Sequence, residues 1–282
     1  MTASLNSLPA AGTLPPWLVM WGLALLLFAF CKIITLLWLR TEHRTITFPA
    51  TLNYLLAWIG MDVRPFAAKP ATPPNPSANI LPGLIKAALG AILLWGIAPL
   101  FHGLLSGWIG MTGLVLILHF GLFHLLAAFW NSRGVPVEPI MNRPLQSQSL
   151  AEFWGARWNR AFNELMFYFV FRPTAPRTGT IVATLVVFLV SGLIHDLVIS
   201  VPARGGYGLP TAYFLIQGFA LLLQRTPQAR RAQLHTAWRG RLITFAVLVL
   251  PLPLLFHAPF IQRVILPFMQ VIGAGPFGGN YD

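Results

Sequence analysis

Two places in this chain set polar side chains among apolar neighbours. The first is Ser149–Pro173, SLAEFWGARWNRAFNELMFYFVFRP, where Arg157, Asn159 and Asn163 stand among tryptophans and phenylalanines. The second is His195, inside the run Ser191-Gly192-Leu193-Ile194-His195-Asp196. An ionisable group within a hydrophobic span is costly and points to function by default. Burial disfavours the charged imidazolium, so the ring is expected neutral at pH 7. A neutral imidazole in a water-poor cavity can act as a general base, typically worth ~10²–10⁴ in rate.

The elements around these residues decide what they can do. Ser149 followed by Glu152 is a capping-box pattern that starts a helix, and Pro173 is expected to end it. Phe153, Trp154, Trp158, Phe162, Leu165, Met166 and Phe169 recur at helical spacings, with Glu152, Asn159, Asn163, Arg157 and Arg160 offset from them. A helix split in that way lies in a membrane interface, its tryptophans at headgroup level. Two readings stay open. The segment is a structural interfacial anchor, or Asn159 and Arg157 point into a cavity open to the cytoplasm, with Asn163 one turn further on the same side.

His195 sits ~22 Å along a helix that starts near Thr180, past the middle of a ~30 Å hydrocarbon core. Ser191, one turn earlier, can hydrogen-bond the ring or the backbone, and Gly192 lets a ligand or another helix come close. Asp196 points roughly 100° away around the helix, which suits a structural partner rather than an orienting group for the ring. The plain alternative for His195 is a histidine bonded across helices.

The chain has 282 residues, 56% hydrophobic and 9% charged, against about 25% charged in a soluble domain. It reads as an all-α polytopic membrane protein, one domain over residues 1–282, with about six to eight transmembrane helices and an amphipathic interfacial helix. Candidate spans are Trp17–Leu39, Leu81–Phe101, Ile109–Trp130, Thr180–Val201 and Arg241–His257, with Leu209–Gln224 slightly short. Thr51–Met61 and Phe260–Ile272 are shorter still and suit re-entrant or interfacial segments. The first run is too long for a signal-peptide core and is expected to be a retained span. Residues 69–82, with five prolines, read as an extended cytoplasmic connector.

The formal charge of +12 is spread over short loops. That is the pattern of the positive-inside rule rather than of a nucleic-acid surface. Arg40, Arg44, Arg64 and Lys69 fall in one cytoplasmic loop, Arg133 to Arg177 in a second, and Arg225 to Arg241 in a third. Cys31 is the only cysteine, so an internal disulfide and a thiolate metal cage are excluded. His119 and His124 are five apart and do not share a face, and nothing in their spacing with His195 supports haem or metal. His102, His235 and His257 near span ends are expected at the interface. No cofactor and no metal are expected.

The block Phe153-Trp154-Gly155-x-Arg157-Trp158-Asn159, followed by Ser191-Gly192-Leu193-Ile194-His195-Asp196, resembles the wax synthase branch of the membrane-bound O-acyltransferases. Plant wax synthases carry closely similar FWGxRWN and SGxxHE blocks in the same order. The resemblance covers residues 142–217, and Asp196 stands where Glu is common in the plant proteins. It implies His195 as the base, with Asn159 in the same reaction chamber and able to donate to the oxyanion or to hold the thioester. Arg157, Trp158, Trp154, Asn163 and Ser191 would contact substrate.

The implied reaction moves an acyl group from acyl-CoA, a co-substrate, to the hydroxyl of a lipophilic alcohol. The donor phosphates would meet basic loops, Arg157 and Arg160 among them. A sterol, terpenoid, glycan or amine acceptor is the alternative within the class. Outside it stands a non-catalytic transporter with His195 and Asp196 along a polar path. The expected location is a bacterial inner membrane, or the endoplasmic reticulum in a eukaryote.

Overall fold

The computed structural model describes residues 14–67 and 80–277. Among them it is all helical, with five helices long and apolar enough to cross a membrane. We label α1 (Pro16–Thr41), α2 (Phe48–Ala57), α3 (Leu81–Leu100), α4 (Gly103–Ser132), α5 (Arg160–Met166), α6 (Arg172–His195), α7 (Leu209–Gln224), α8 (Trp238–Leu255) and α9 (258–271). The shorter α7 corresponds to the sixth expected span. Of the proline-rich stretch, residues 69–79 lie outside the described residues, and Leu81 and Pro82 already form the first turn of α3.

Packing between spans relies on small residues, because lipid is as apolar as leucine and supplies no hydrophobic drive between helices. A Cβ on Gly90 of α3 would meet the Gly113 carbonyl of α4 at 2.6 Å, and one on Gly113 would meet the Gly90 carbonyl at 2.7 Å. Gly107 and Gly110, further towards the N-terminus of α4, accept Ile261 and Met269 of α9. Stretches 92–97 and 116–122 widen to π-helical turns within α3 and α4.

Polar groups inside the spans satisfy backbone that the helices leave free. Lys32, 1% exposed in α1, donates to the carbonyls of Tyr54 at 2.9 Å and Gly60 at 2.6 Å, and its Nζ lies 3.6 Å from the Tyr54 ring centre. It fastens α2 and the following loop to α1. Pro251 cannot donate to the Val247 carbonyl; Gln217 of α7 does so instead, at 2.8 Å. Cys31 is buried and free. His257, just past the end of α8, is 3% exposed and 3.2 Å from the Ser200 hydroxyl.

The segment 149–173 is not one helix. Ser149 does cap a turn, its hydroxyl accepting from Glu152 N–H at 3.1 Å, while Glu152 reaches back to the Gln148 N–H at 2.7 Å. The helix then opens into a π turn over 153–157, Trp158 is extended, and Asn159 is left-handed with φ 41°. A new helix starts at Arg160 and continues through Pro173, which occupies the first turn of α6. Proline has no N–H to continue the ladder, and here it directly follows the widened π turn over 167–171. The break comes at Gly179, at φ 82°, a region that L-residues with a side chain rarely adopt.

Candidate active site

α6 and α7 run antiparallel and share the most extensive helix interface among the described residues. A Cβ on Gly192 would fall 2.6 Å from Thr211 Cα, and one on Gly218 would fall 3.0 Å from Phe188. Two antiparallel stripes on these helices wall a cavity of about 310 Å³. Thr184, Phe188, Ser191 and His195 come from α6, with Phe214, Leu221 and Arg225 from α7 and its C-cap. The broken segment closes the cavity with Trp154, Gly155, Trp158, Asn159, Phe162 and Asn163. The two places singled out in the sequence therefore meet at one site.

His195 is held at one nitrogen. Its Nδ1 lies 2.7 Å from the Ser191 carbonyl, which can only accept, so Nδ1 carries the hydrogen and the Nε2 lone pair is left for a ligand. The ring packs against Phe214, with centroids 4.4 Å apart and planes tilted by 39°. The Ser191 hydroxyl donates to the Val187 carbonyl at 2.8 Å, so Ser191 positions the ring through its backbone oxygen.

Asn159 caps α5. Its Oδ1 accepts from Phe162 N–H at 3.3 Å, and the residue lines the cavity, where the Nδ2 amide is its remaining side-chain donor. The left-handed backbone tolerates asparagine better than most residues. Asn163 donates from Nδ2 to the Gly155 carbonyl at 2.8 Å and ties α5 to the π turn. Trp158 stacks on Phe153, centroids 5.4 Å apart at 15°. Trp154 stands edge-on to Phe188 at 6.0 Å and 87°.

Arg157 does not line the cavity. Its Nε donates to Glu152 at 2.7 Å, and its NH1 reaches the Asn142 and Arg143 carbonyls at 3.3 and 3.4 Å. The π turn swings the side chain back onto the start of its own segment, so it braces the turn. Burial pushes the Glu152 carboxyl up, but the Gln148 N–H and the Arg157 and Arg241 charges outweigh it and hold the group below the usual carboxylate range. Arg160 pairs with Glu138 at a second cavity of about 310 Å³, which is also walled by Asp62, Arg64 and Glu164. Both expected phosphate ligands are thus engaged within the protein.

Asp196 has the structural role expected from its direction on the helix. Its carboxylate accepts from Ser200 Oγ at 2.8 Å, Gly208 N–H at 2.8 Å, Thr211 N–H at 3.1 Å and the Thr211 hydroxyl. It therefore caps the N-terminus of α7 from α6, where helix dipole and free N–H groups favour an anion.

The sequence reading did not pick out Thr184, Phe188, Phe214, Leu221 or Arg225. A signal exists in the recurrence at i, i+4, i+7 and i+11 backward from His195 and, less completely, forward from Phe214. Among the described residues no group of three or more histidine, cysteine or acidic side chains could hold a metal ion.

Residues 137–216 match the model of the "Membrane bound O-acyl transferase family". The chain is 29% identical over 142 residues to the probable long-chain-alcohol O-fatty-acyltransferase 9 of Arabidopsis thaliana, covering 46% of this chain and 42% of that protein. It is 24% identical over 198 residues to acyl-CoA–sterol O-acyltransferase 1 of Arabidopsis thaliana, covering 66% and 57%. With the probable long-chain-alcohol O-fatty-acyltransferase 2 of the same plant the identity is 33% over 105 residues, 32% and 29% of the two chains. The matches span about half the length of these relatives or less. The matched residues 137–216 supply most of the cavity wall, and over them the chain is similar to the membrane-bound O-acyltransferases, with long-chain-alcohol O-fatty-acyltransferases among the relatives.

Proposed function

We propose that this integral membrane protein transfers an acyl group from acyl-CoA to the hydroxyl of a lipophilic alcohol. The observation that carries the reading is the placing of His195 and Asn159 on one cavity, with His195 Nδ1 pinned and Nε2 left for substrate. Nε2 takes the proton of the acceptor hydroxyl as its oxygen attacks the thioester carbonyl. Asn159 Nδ2 donates to the oxyanion that forms, an interaction worth ~3 kcal/mol where the donor is already in place. The tetrahedral intermediate collapses with cleavage of the carbon–sulfur bond, and the imidazolium returns its proton to the thiolate. No acyl-enzyme is needed. The donor enters from the cytoplasm, in a bacterial inner membrane or the endoplasmic reticulum.

A sterol acceptor is the second reading, supported by the similarity over 66% of the chain to a protein named as a sterol acyltransferase. The test is thiol release from acyl-CoA by purified protein, with panels of fatty alcohols, sterols and terpenols. Acceptor-dependent CoA release that is lost in His195→Ala is expected, and the panel then names the acceptor. Release that persists at wild-type rate in His195→Ala would remove His195 from the mechanism. An absence of release with every pair would favour transport over chemistry.

A further inference from the structure

The cavity carries one cation at its rim. Arg225 lines it, is exposed, and makes no ion pair among the described residues. Arg157 and Arg160, the other two guanidinium groups of this region, are held by Glu152 and Glu138. The adjacent Gln224 fixes the place of Arg225. Its Oε1 accepts from Leu150 N–H at 2.8 Å and its Nε2 donates to the Leu234 carbonyl at 3.1 Å. The end of α7 is thereby pinned to the turn that opens the cavity wall.

The spacing along α7 supplies a ruler. Phe214, against the His195 ring, and Arg225 lie ~16 Å apart along the helix at ~1.5 Å per residue. In a pantetheine thioester about thirteen bonds separate the sulfur from the first phosphorus. At ~1.2 Å of advance per bond in an extended chain, that is also ~16 Å. With a thioester carbonyl beside His195 and Asn159, the arm brings its phosphate to Arg225.

We propose that Arg225 binds the phosphate at the far end of the donor's pantetheine arm, and so selects phosphopantetheine thioesters. This rests on the acyl-transfer reading and adds to it the group that recognises the donor. The guanidinium offers two parallel N–H groups to phosphate oxygens, a geometry that lysine cannot reproduce. The shared chemistry is the phosphate, whether borne by coenzyme A or by an acyl carrier protein. A bland alternative is that Arg225 only complements the negative end of the α7 dipole.

The test measures kcat and KM for three donors with the same acyl chain: acyl-CoA, acyl-phosphopantetheine and acyl-pantetheine. For the wild type, kcat/KM is expected to be ~10- to 100-fold higher for the two phosphorylated donors than for acyl-pantetheine, as suits one charge-assisted contact. In Arg225→Gln that preference is expected to fall to a few-fold through KM, and Arg225→Lys recovers part of it. A preference unchanged in Arg225→Gln overturns the assignment, as does an equal loss with all three donors, which would mark a structural role. A loss with acyl-CoA but not with acyl-phosphopantetheine also overturns it. Acyl carrier protein thioesters, run alongside, show which carrier the phosphate arrives on. Wild-type turnover of acyl-pantetheine establishes the reaction without the phosphate; if no donor is turned over, the reaction reading fails, and this assignment with it.

Discussion

Gly192 of α6 and Thr211 of α7 are in backbone contact, so close that a Cβ on Gly192 would fall 2.6 Å from Thr211 Cα. That approach brings the His195 ring to Phe214, and it is clamped from the next residue by Asp196, which binds the Thr211 N–H. The geometry of the candidate site and the packing of the helices are therefore one arrangement. Both should respond to the same substitutions.

Gly192→Ala places a methyl group against backbone, which no rotamer change can relieve. We expect a loss of ~1–3 kcal/mol in stability, as for other overpacked sites, together with reduced transfer as α6 and α7 part. Thermal unfolding in detergent and initial transfer rates test this. Wild-type values in both would show that the contact does not hold the site.

Asp196→Asn keeps the shape but removes the charge and turns one acceptor into a donor facing donors. The Gly208 and Thr211 N–H groups and the Ser200 hydroxyl then compete for one oxygen. A destabilisation of about 1–3 kcal/mol is expected, with the α7 N-terminus exchanging amide hydrogens faster than its C-terminus. Uniform exchange along α7 would count against the cap.

Asn159 joins two separable duties, a left-handed cap and an amide donor. Asn159→Gly preserves the backbone and loses the amide, whereas Asn159→Ala loses both. The alanine variant is expected to be less stable than the glycine variant by ~1 kcal/mol. Transfer should fall ~10²–10³-fold in both if the amide serves the oxyanion. Near wild-type transfer in the glycine variant would assign Asn159 to structure alone.

Glu152 makes the FWGAR turn acid-sensitive. Its carboxyl is held below its usual value, so its contribution to stability is present above the unfolded value, 4.5, and is lost as pH falls through the folded one. With a side chain 31% exposed, the effect should stay under ~1 kcal/mol. Tryptophan fluorescence of the turn is expected to shift below about pH 4.5 in the wild type. Glu152→Gln should already show the acid form at neutral pH, and a wild-type spectrum in that variant would exclude the pair as the brace.

Much of the fold is legible in the sequence because lipid imposes a simple rule. A span must satisfy its own backbone and show an apolar surface, so the five long helices and the shorter α7 can be read from runs of residues. The same rule makes His195 conspicuous. The Ser149–Glu152 cap is legible too, since it depends only on residues three apart. The resemblance of the block around Asn159 to a family rests on residue identity, without any geometry.

The break at Trp158 and Asn159 was not legible, because the local helical spacing of aromatics continues across it. Tertiary contacts, with Ile140 accepting from Arg160 N–H at 3.0 Å and Asn142 donating to the Arg157 carbonyl at 2.8 Å, override that spacing. Arg157 therefore turns to Glu152, whereas the sequence left a cavity-facing direction open. The side-chain types, the spans and the family resemblance lay in the sequence by itself. The cavity was decided only in three dimensions: its walls come from two antiparallel helices and a broken third segment. Which of their faces meet depends on the close contacts at Gly192 and Gly218 and on the cap that Asp196 places on a neighbouring helix.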